Sequence, residues 1–432
     1  MVNGGWSMRN NPMLDKVRTY IEHEIGLKPG SVVYVAFSGG ADSTALLLIL
    51  QELGYTVHAL HCNFHLRGEE SDRDQTFVER LCEQARVPLS VKHFDTEKVA
   101  KERGISIEMA ARELRYDWFR RWTKDSPVAV AHHRDDQAET LLLNLLRGTG
   151  LRGLAGMRPI HDGIVRPLLC LSREDIRTYL QNRGQTFVTD STNFERICQR
   201  NRLRLDVMPL LTDINPKAVE HLQLASDNVR QALTYYEKGI RAAFKELGIT
   251  SDVFPLAALS ASSPCGETDG LLHEWLSVGG FSSAQEREML RSAESGVGKM
   301  WQGKTHKVLR DRHALILEAL TENVAKPVLS SEIVPAIEET GPNVAYLDAD
   351  LLREPIEVRL VRDGDAFVPF GMKGRKLVSD YLTDRKLNRF EKERQFVAVC
   401  GEDIVWLIGH RSSDRYKVTP ATTRILKLSV KS

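Results

Sequence analysis

Apolar positions between residues 13 and 190 come in short β-rich runs separated by stretches of helical spacing. Residues 32–37 are apolar on both faces, as in a strand of a parallel sheet; 57–61, 88–94 and 127–131 read as further strands and 164–169 as a fifth. Helical spacing predicts helices at 13–28, 71–84, 107–122 and 141–147, and another from Ser172, where Asp175 completes a capping box. In 107–122 the spacing puts Ile107, Ala111, Leu114 and Trp118 on the core face. This alternation predicts an α/β domain over 1–210 with a doubly wound, mostly parallel sheet. A long helix at 216–247 and helices at 267–277 and 283–294, with strand-like 307–309 and 314–317, predict a mainly helical domain over 211–325. Residues 326–344, rich in Pro, Glu and Ser, read as a linker. Strands at 356–361, 396–400 and 404–408 and a helix at 377–384 give a small α+β domain over 345–432.

Chemistry concentrates where the first strand meets its helix, at Ser38-Gly39-Gly40-Ala41-Asp42-Ser43-Thr44. Two glycines open the backbone to close approach, hydroxyls add donors, and the following helix N-terminus favours an anion. Together they make a phosphate cradle. No Lys-Ser/Thr follows the glycines and no G-x-G-x-x-G occurs, so neither the P-loop nor the dinucleotide fingerprint applies. A carboxylate beside phosphate repels it unless a cation bridges the two, so Asp42 points to Mg²⁺.

The fourth strand runs into His132-His133-Arg134-Asp135-Asp136-Gln137-Ala138-Glu139-Thr140. Asp136 and Glu139 share a helix face, which suits a metal or an ammonium substrate, or simply the helix dipole. His61 and His65, after the second strand, read as hydrogen-bonding residues that shape a pocket. Arg112, Arg115 and Arg120 lie beside Trp and Tyr, and Arg196, Arg200 and Arg204 step along one face after Asp190-Ser191-Thr192-Asn193. The glycine-punctuated 148–156 reads as a substrate-facing lid.

Composition narrows the class. With 42% hydrophobic and 27% charged residues the chain is globular, and no apolar run reaches membrane-spanning length. Six scattered cysteines without a C-x-x-C pair fit reduced thiols in the cytoplasm and argue against a zinc site. A net charge of +1 carries no global nucleic-acid signal, but Lys373, Arg375, Lys376, Arg385, Lys386, Arg389 and Lys392, with Arg415 and Lys417 beyond, make a local basic field suited to RNA.

SGG-x-DS resembles the pyrophosphate loop of ATP pyrophosphatases of the adenine nucleotide alpha hydrolase-like type. The ordered set SGGADST, HCNFHLRG, EMAARELRY, HHRDDQAET, DSTN with RNRLR, and the C-terminal DGDAFVPFG, GRKLVSDYL and VWLIGHRSSDRYK resembles the tRNA(Ile)-lysidine synthetase family over nearly the whole chain. The resemblance implies ATP-dependent joining of L-lysine to C2 of the wobble cytidine in a tRNA(Ile) with a CAU anticodon, through an adenylated cytidine. By motif position it makes Asp42, Arg112, Asp136, Glu139, Asn193, Arg200 and Arg204 the expected catalytic set, and Ser38 to Ser43 the ATP loop. Asp136 and Glu139 are assigned to the lysine ammonium or the metal. Arg196, Lys373, Arg375, Lys376, Arg415 and Lys417 are expected to meet tRNA. The rival enzyme class, tRNA thiolation, wants paired cysteines; a nonenzymatic ATP- or RNA-binding protein is the other alternative. Oligomeric state is left open, a homo-oligomer included.

Overall fold

The computed structural model describes residues 11–189, 199–260, 267–294, 296–320, 325–338 and 340–431. Asp190, Ser191, Thr192, Asn193 and Arg196 lie outside the described residues. The chain divides into two compact units, one ending at Glu237 and the other beginning at Lys238. That break falls inside the helix Ala218–Glu246 rather than at 210/211, so the larger, N-terminal part of this helix belongs to the first unit.

The first unit is built on strands β1 (Val32–Ala36), β2 (Thr56–Asn63), β3 (Leu89–His93), β4 (Val128–Ala129), β5 (Ile160–His161) and β6 (Ile164–Val165). They form one sheet in the order β3-β2-β1-β4-β6-β5, parallel throughout except that β5 runs antiparallel to β6. Its helices are α1 (Pro12–Tyr20), α2 (Ala41–Glu52), α3 (Glu69–Ala85), α4 (Thr96–Arg103), α5 (Ile107–Trp122), α6 (Arg134–Leu146), α7 (Leu151–Leu154), α8 (Arg173–Asn182), α9 (Gln199–Arg202), α10 (Met208–Ile214) and α11 (Ala218–Glu246). Helix α2 is the keystone. Its residues Ser43 through Leu50 are all buried, against Val33, Val35 and Phe37 on one side and Leu168, Ile176 and Leu180 on another. At about 1.5–3 kcal/mol for each fully buried aliphatic side chain, this packing fixes α2, and with it the loop that precedes it.

Several expected spans shift. Helix α6 begins at Arg134, not residue 141, because Asp136 accepts the His133 N–H at 3.1 Å and caps the helix seven residues earlier. The fifth strand stops at Val165, because Pro167 opens a 3₁₀ turn, Pro167–Cys170. On α5 the buried residues are Ala110, Ala111 and Phe119, while Ile107 at the helix start is exposed. Ser172 and Asp175 form the expected capping box.

In the second unit helices pack on a four-stranded antiparallel sheet ordered Val253–Pro255, Ala314–Ala319, His306–Arg310 and Met300–Gln302, around Phe254, Leu272, Trp275, Met289 and Val308. The strand-like stretches at 307–309 and 314–317 are therefore the middle of a sheet, not an exception within a helical domain. The expected linker over 326–344 is corrected: Leu329–Val334 is a strand paired along its length with Ile425–Val430. A strand supplied with a partner from the far end of the chain needs little apolar content of its own, which is why its composition concealed it. A further antiparallel sheet, Ile356–Leu360, Phe396–Cys400 and Asp403–Leu407, carries the buried Trp406. No helix among the described residues is long and apolar enough to cross a membrane.

Candidate active site

In the strand order, β2 and β4 flank β1 on opposite sides, so the chain leaves β1 in both directions and opens a crevice at the carboxyl ends of β1 and β4. The loop after β1 and the histidines after β4 meet there.

The loop folds on itself. Ser38 Oγ lies 3.1 Å from Ser43 Oγ, the Ser38 N–H donates to Ser43 Oγ at 3.3 Å, and Ser43 Oγ donates to the Gly40 carbonyl at 3.1 Å. Gly39 has φ +84°, and its carbonyl accepts from the Val188 N–H at 2.9 Å and from Thr44 Oγ1 at 3.3 Å. Gly40 occupies the N-cap of α2 and no side chain caps that end, so the first N–H groups of the helix face the crevice. Open N–H groups at a helix N-terminus favour an anion.

A cavity of about 300 Å³ opens in front of the loop, and Ser38, Gly40, Asp42, Ser43, Arg112, Arg115, Tyr116, His132 and Asp136 are among its lining residues. The tertiary fold thus brings Arg112, from α5, beside the phosphate loop and Asp136. Arg112 lies over the Tyr116 ring at 4.9 Å, and Arg115 over Phe64 at 5.2 Å. His61 is buried and bonded through Nδ1 to the Phe37 carbonyl at 2.9 Å, fixing the backbone just before the loop. His65 is exposed and pairs with His93.

Behind the cavity is a buried network of charge. His133, only 1% exposed, has Nε2 3.7 Å from Asp42 Oδ2 and 3.5 Å from Asp136 Oδ2, and Nδ1 3.4 Å from Asp135 Oδ2. Burial pulls the His133 pKa down, but the three carboxylates outweigh it and hold it above the usual imidazole value. Burial pushes Asp42 up while His133 opposes it. Burial also pushes Asp135 up, but His133 and the Arg173 backbone N–H prevail and bring it down to about 2. His132 is pulled down to about 4 by burial and so is neutral at physiological pH.

Glu139, 2% exposed, does not face the cavity as an open ammonium receptor. Its carboxylate takes Arg173 Nη2 at 3.2 Å, Arg200 Nε at 2.8 Å and Arg204 Nε at 2.7 Å. Asp136 Oδ1 lies 3.5 Å from Arg200 and 3.4 Å from Arg204. Asp136, Glu139, Arg200 and Arg204 therefore form one unit, with α6 on one side and α9 and the turn that follows it on the other. Sequence reasoning missed Arg173 and Arg166. Arg173 carried no motif signal, being simply the first residue of a capped helix.

The donor set suits Mg²⁺. Asp42, its side chain 42% exposed, and Asp136 are carboxylates on one cavity, and this ion binds to one or two carboxylates while keeping places for phosphate oxygens and water. Among the described residues no cluster of three or more His, Cys, Asp or Glu forms an all-protein cage.

In the second unit, Lys373 and Arg375 have no carboxylate partner among the described residues. Lys376 pairs with Asp384, Arg415 with Asp403 at 3.4 Å, and Lys417 with Asp414 at 2.9 Å.

The switch-point crevice, the self-closed glycine loop and the uncapped helix define a PP-loop ATP-utilising protein, and the family model described as a PP-loop domain matches residues 13–211. A second model, the TilS substrate binding domain, matches 253–320. Among curated relatives, the tRNA(Ile)-lysidine synthase of Bacteroides thetaiotaomicron is 43% identical over 95% of this chain and 98% of its own length. Those of Parabacteroides distasonis (42%; 96% and 99%) and Porphyromonas gingivalis (39%; 94% and 96%) are similar over comparable spans. The chain belongs to the tRNA(Ile)-lysidine synthase family, and is an ATP-dependent PP-loop enzyme that modifies tRNA.

Proposed function

We propose that this enzyme ligates L-lysine to C2 of the wobble cytidine in a tRNA(Ile) with a CAU anticodon, through an adenylated cytidine, in the cytoplasm. The cytosine O2 attacks the α-phosphorus of ATP and pyrophosphate leaves. The lysine ε-amine then attacks C2 and expels AMP, and the proton lost from nitrogen passes to solvent or a cavity base.

The observation that carries this reading is the uncapped N-terminus of α2, ringed by Ser38, Gly39, Gly40, Ala41 and Ser43 and opening on a cavity walled by Arg112 and Asp136. Negative charge grows on the departing pyrophosphate, and preorganised N–H and hydroxyl donors stabilise it without reorganising. Asp42 and Asp136 would hold Mg²⁺, whose charge offsets that of the phosphates when it is bound. Arg112 is free to meet phosphate or the activated base.

Glu139 takes a different role from the one its spacing suggested: with three arginines on it, it anchors Arg200 and Arg204 rather than binding the lysine ammonium. Asp136, which lines the cavity, is the better candidate for an incoming cation. Asn193 and Arg196 keep their roles on motif position alone. Lys373 and Arg375 are the strongest tRNA phosphate contacts, with Lys376, Arg415 and Lys417 partly neutralised by their neighbours. Incubation with ATP, labelled lysine and transcribed isoleucine tRNA tests the reading. Label at the anticodon with one AMP per lysine is expected, and ATP-dependent labelling of any other position overturns it.

A further inference from the structure

Arg166 follows β6, at the same end of the sheet as the cavity, and is 8% exposed. A guanidinium this deep ordinarily has a carboxylate against it, because burying an ion without its counter-ion is costly. Arg166 has none among the described residues. Its Nη1 donates to the Arg158 carbonyl at 2.8 Å, and its Nε has no partner. Burial lowers its pKa, and the Tyr116 hydroxyl is the group that most offsets this. Its other titratable neighbours are themselves cationic or neutral: Arg112, on the same tyrosine, His132, and the Tyr20 hydroxyl. Tyr116, Arg112 and His132 all line the cavity. The fold therefore spends stability to hold a guanidinium behind this wall with neutral oxygens on it and no carboxylate against it.

Resting on the reading of this cavity as the nucleotide site, we propose that Arg166 is a positioning residue for the substrate anion: it fixes Tyr116 and, through that ring, Arg112, and leaves this side of the wall, away from Asp42 and Asp136, without a carboxylate until a substrate phosphate meets it. Arg166 acts through those two side chains, not by contact with the reacting atoms. A residue kept for this purpose differs from a structural strut in one measurable way, since removing it relieves the free protein and penalises the complex.

The test compares Arg166→Met and Arg166→Lys with the natural chain in thermal unfolding, without nucleotide and with ATP in excess magnesium, and in steady-state tRNA modification. Arg166→Met is expected to unfold at the same or a higher temperature than the natural chain when free. It should lose most of the ATP-induced rise, and its KM for ATP should increase roughly tenfold with a smaller change in kcat. Arg166→Lys, which keeps the charge, should recover most of the ATP-induced rise. A lowered midpoint for free Arg166→Met, its failure to fold, or an ATP-induced rise equal to that of the natural chain overturns the inference. If ATP does not stabilise even the natural chain, the fault lies with the reading of the cavity.

Discussion

Arg204 grips Glu139 with two nitrogens, Nε 2.7 Å from one carboxylate oxygen and Nη2 3.0 Å from the other. This fork joins the segment after α9 to α6 across a stretch of sequence that no helical period connects. Arg200 and Arg173 converge on the same carboxylate, so the residues are not interchangeable. Arg204→Ala leaves Glu139 two cations and should keep the fold while abolishing lysine transfer. Glu139→Gln removes the carboxylate that Arg173, Arg200 and Arg204 share, leaving the last two only Asp136, and should cost about 3–5 kcal/mol. Urea unfolding beside a labelled-lysine assay separates the two; equal destabilisation would contradict this picture of the cluster.

Asp42 titrates against the fold. Its folded pKa is raised above the unfolded value, so the stability tied to it is complete below about pH 4 and is lost as pH rises through the folded value. At neutral pH the free protein therefore carries an unfavourable charge. Asp42→Asn should raise the melting temperature at pH 7 while eliminating pyrophosphate release. Added magnesium should raise the midpoint of the natural chain and leave the variant unmoved.

Asp135 runs the other way. Its pKa is brought down to about 2 by His133 and the Arg173 N–H against the push of burial, so its contribution is complete above about pH 4 and lost as pH falls toward 2. The difference from its ordinary value corresponds to on the order of 2 kcal/mol. Asp135→Asn should be less stable by about that amount at pH 7, and the gap should close in unfolding curves taken between pH 4 and pH 2.

Gly39 is held at φ +84°, and a β-carbon there would sit 3.2 Å from Phe77 and 3.3 Å from Val78 on α3. Gly39→Ala should cost about 1–2 kcal/mol in backbone strain alone. Because a side chain disfavours the positive φ that shapes the loop, ATP binding measured by calorimetry should weaken more than stability does.

In the second unit the unpaired cations should dominate tRNA binding. Lys373→Ala and Arg375→Ala should each flatten the dependence of log affinity on log salt by about one unit. Arg415→Ala and Lys417→Ala, already faced by Asp403 and Asp414, should flatten it less. Filter binding across a salt series distinguishes them.

Much of this was legible in the chain because local rules decide it. Gly39 and Gly40 between a β-rich run and a run of helix formers marked the turn from β1 into α2, and Ser172 with Asp175 marked a helix start. What misled was any feature whose energy comes from a distant partner. Residues 329–334 look like a tether until Ile425–Val430 pairs with them, and Ile107 satisfies a helical period yet stays in water while Ala110, Ala111 and Phe119 are buried.

The sequence by itself determined the parallel sheet, the glycine loop and the family motifs, since strand periodicity, turn chemistry and helix capping act over a few residues. Only the tertiary structure decided that Glu139 is saturated by three arginines and that Arg166 is buried without a counter-charge. Charge pairing in a folded interior depends on distance and on exclusion of water, and neither is set by separation along the chain.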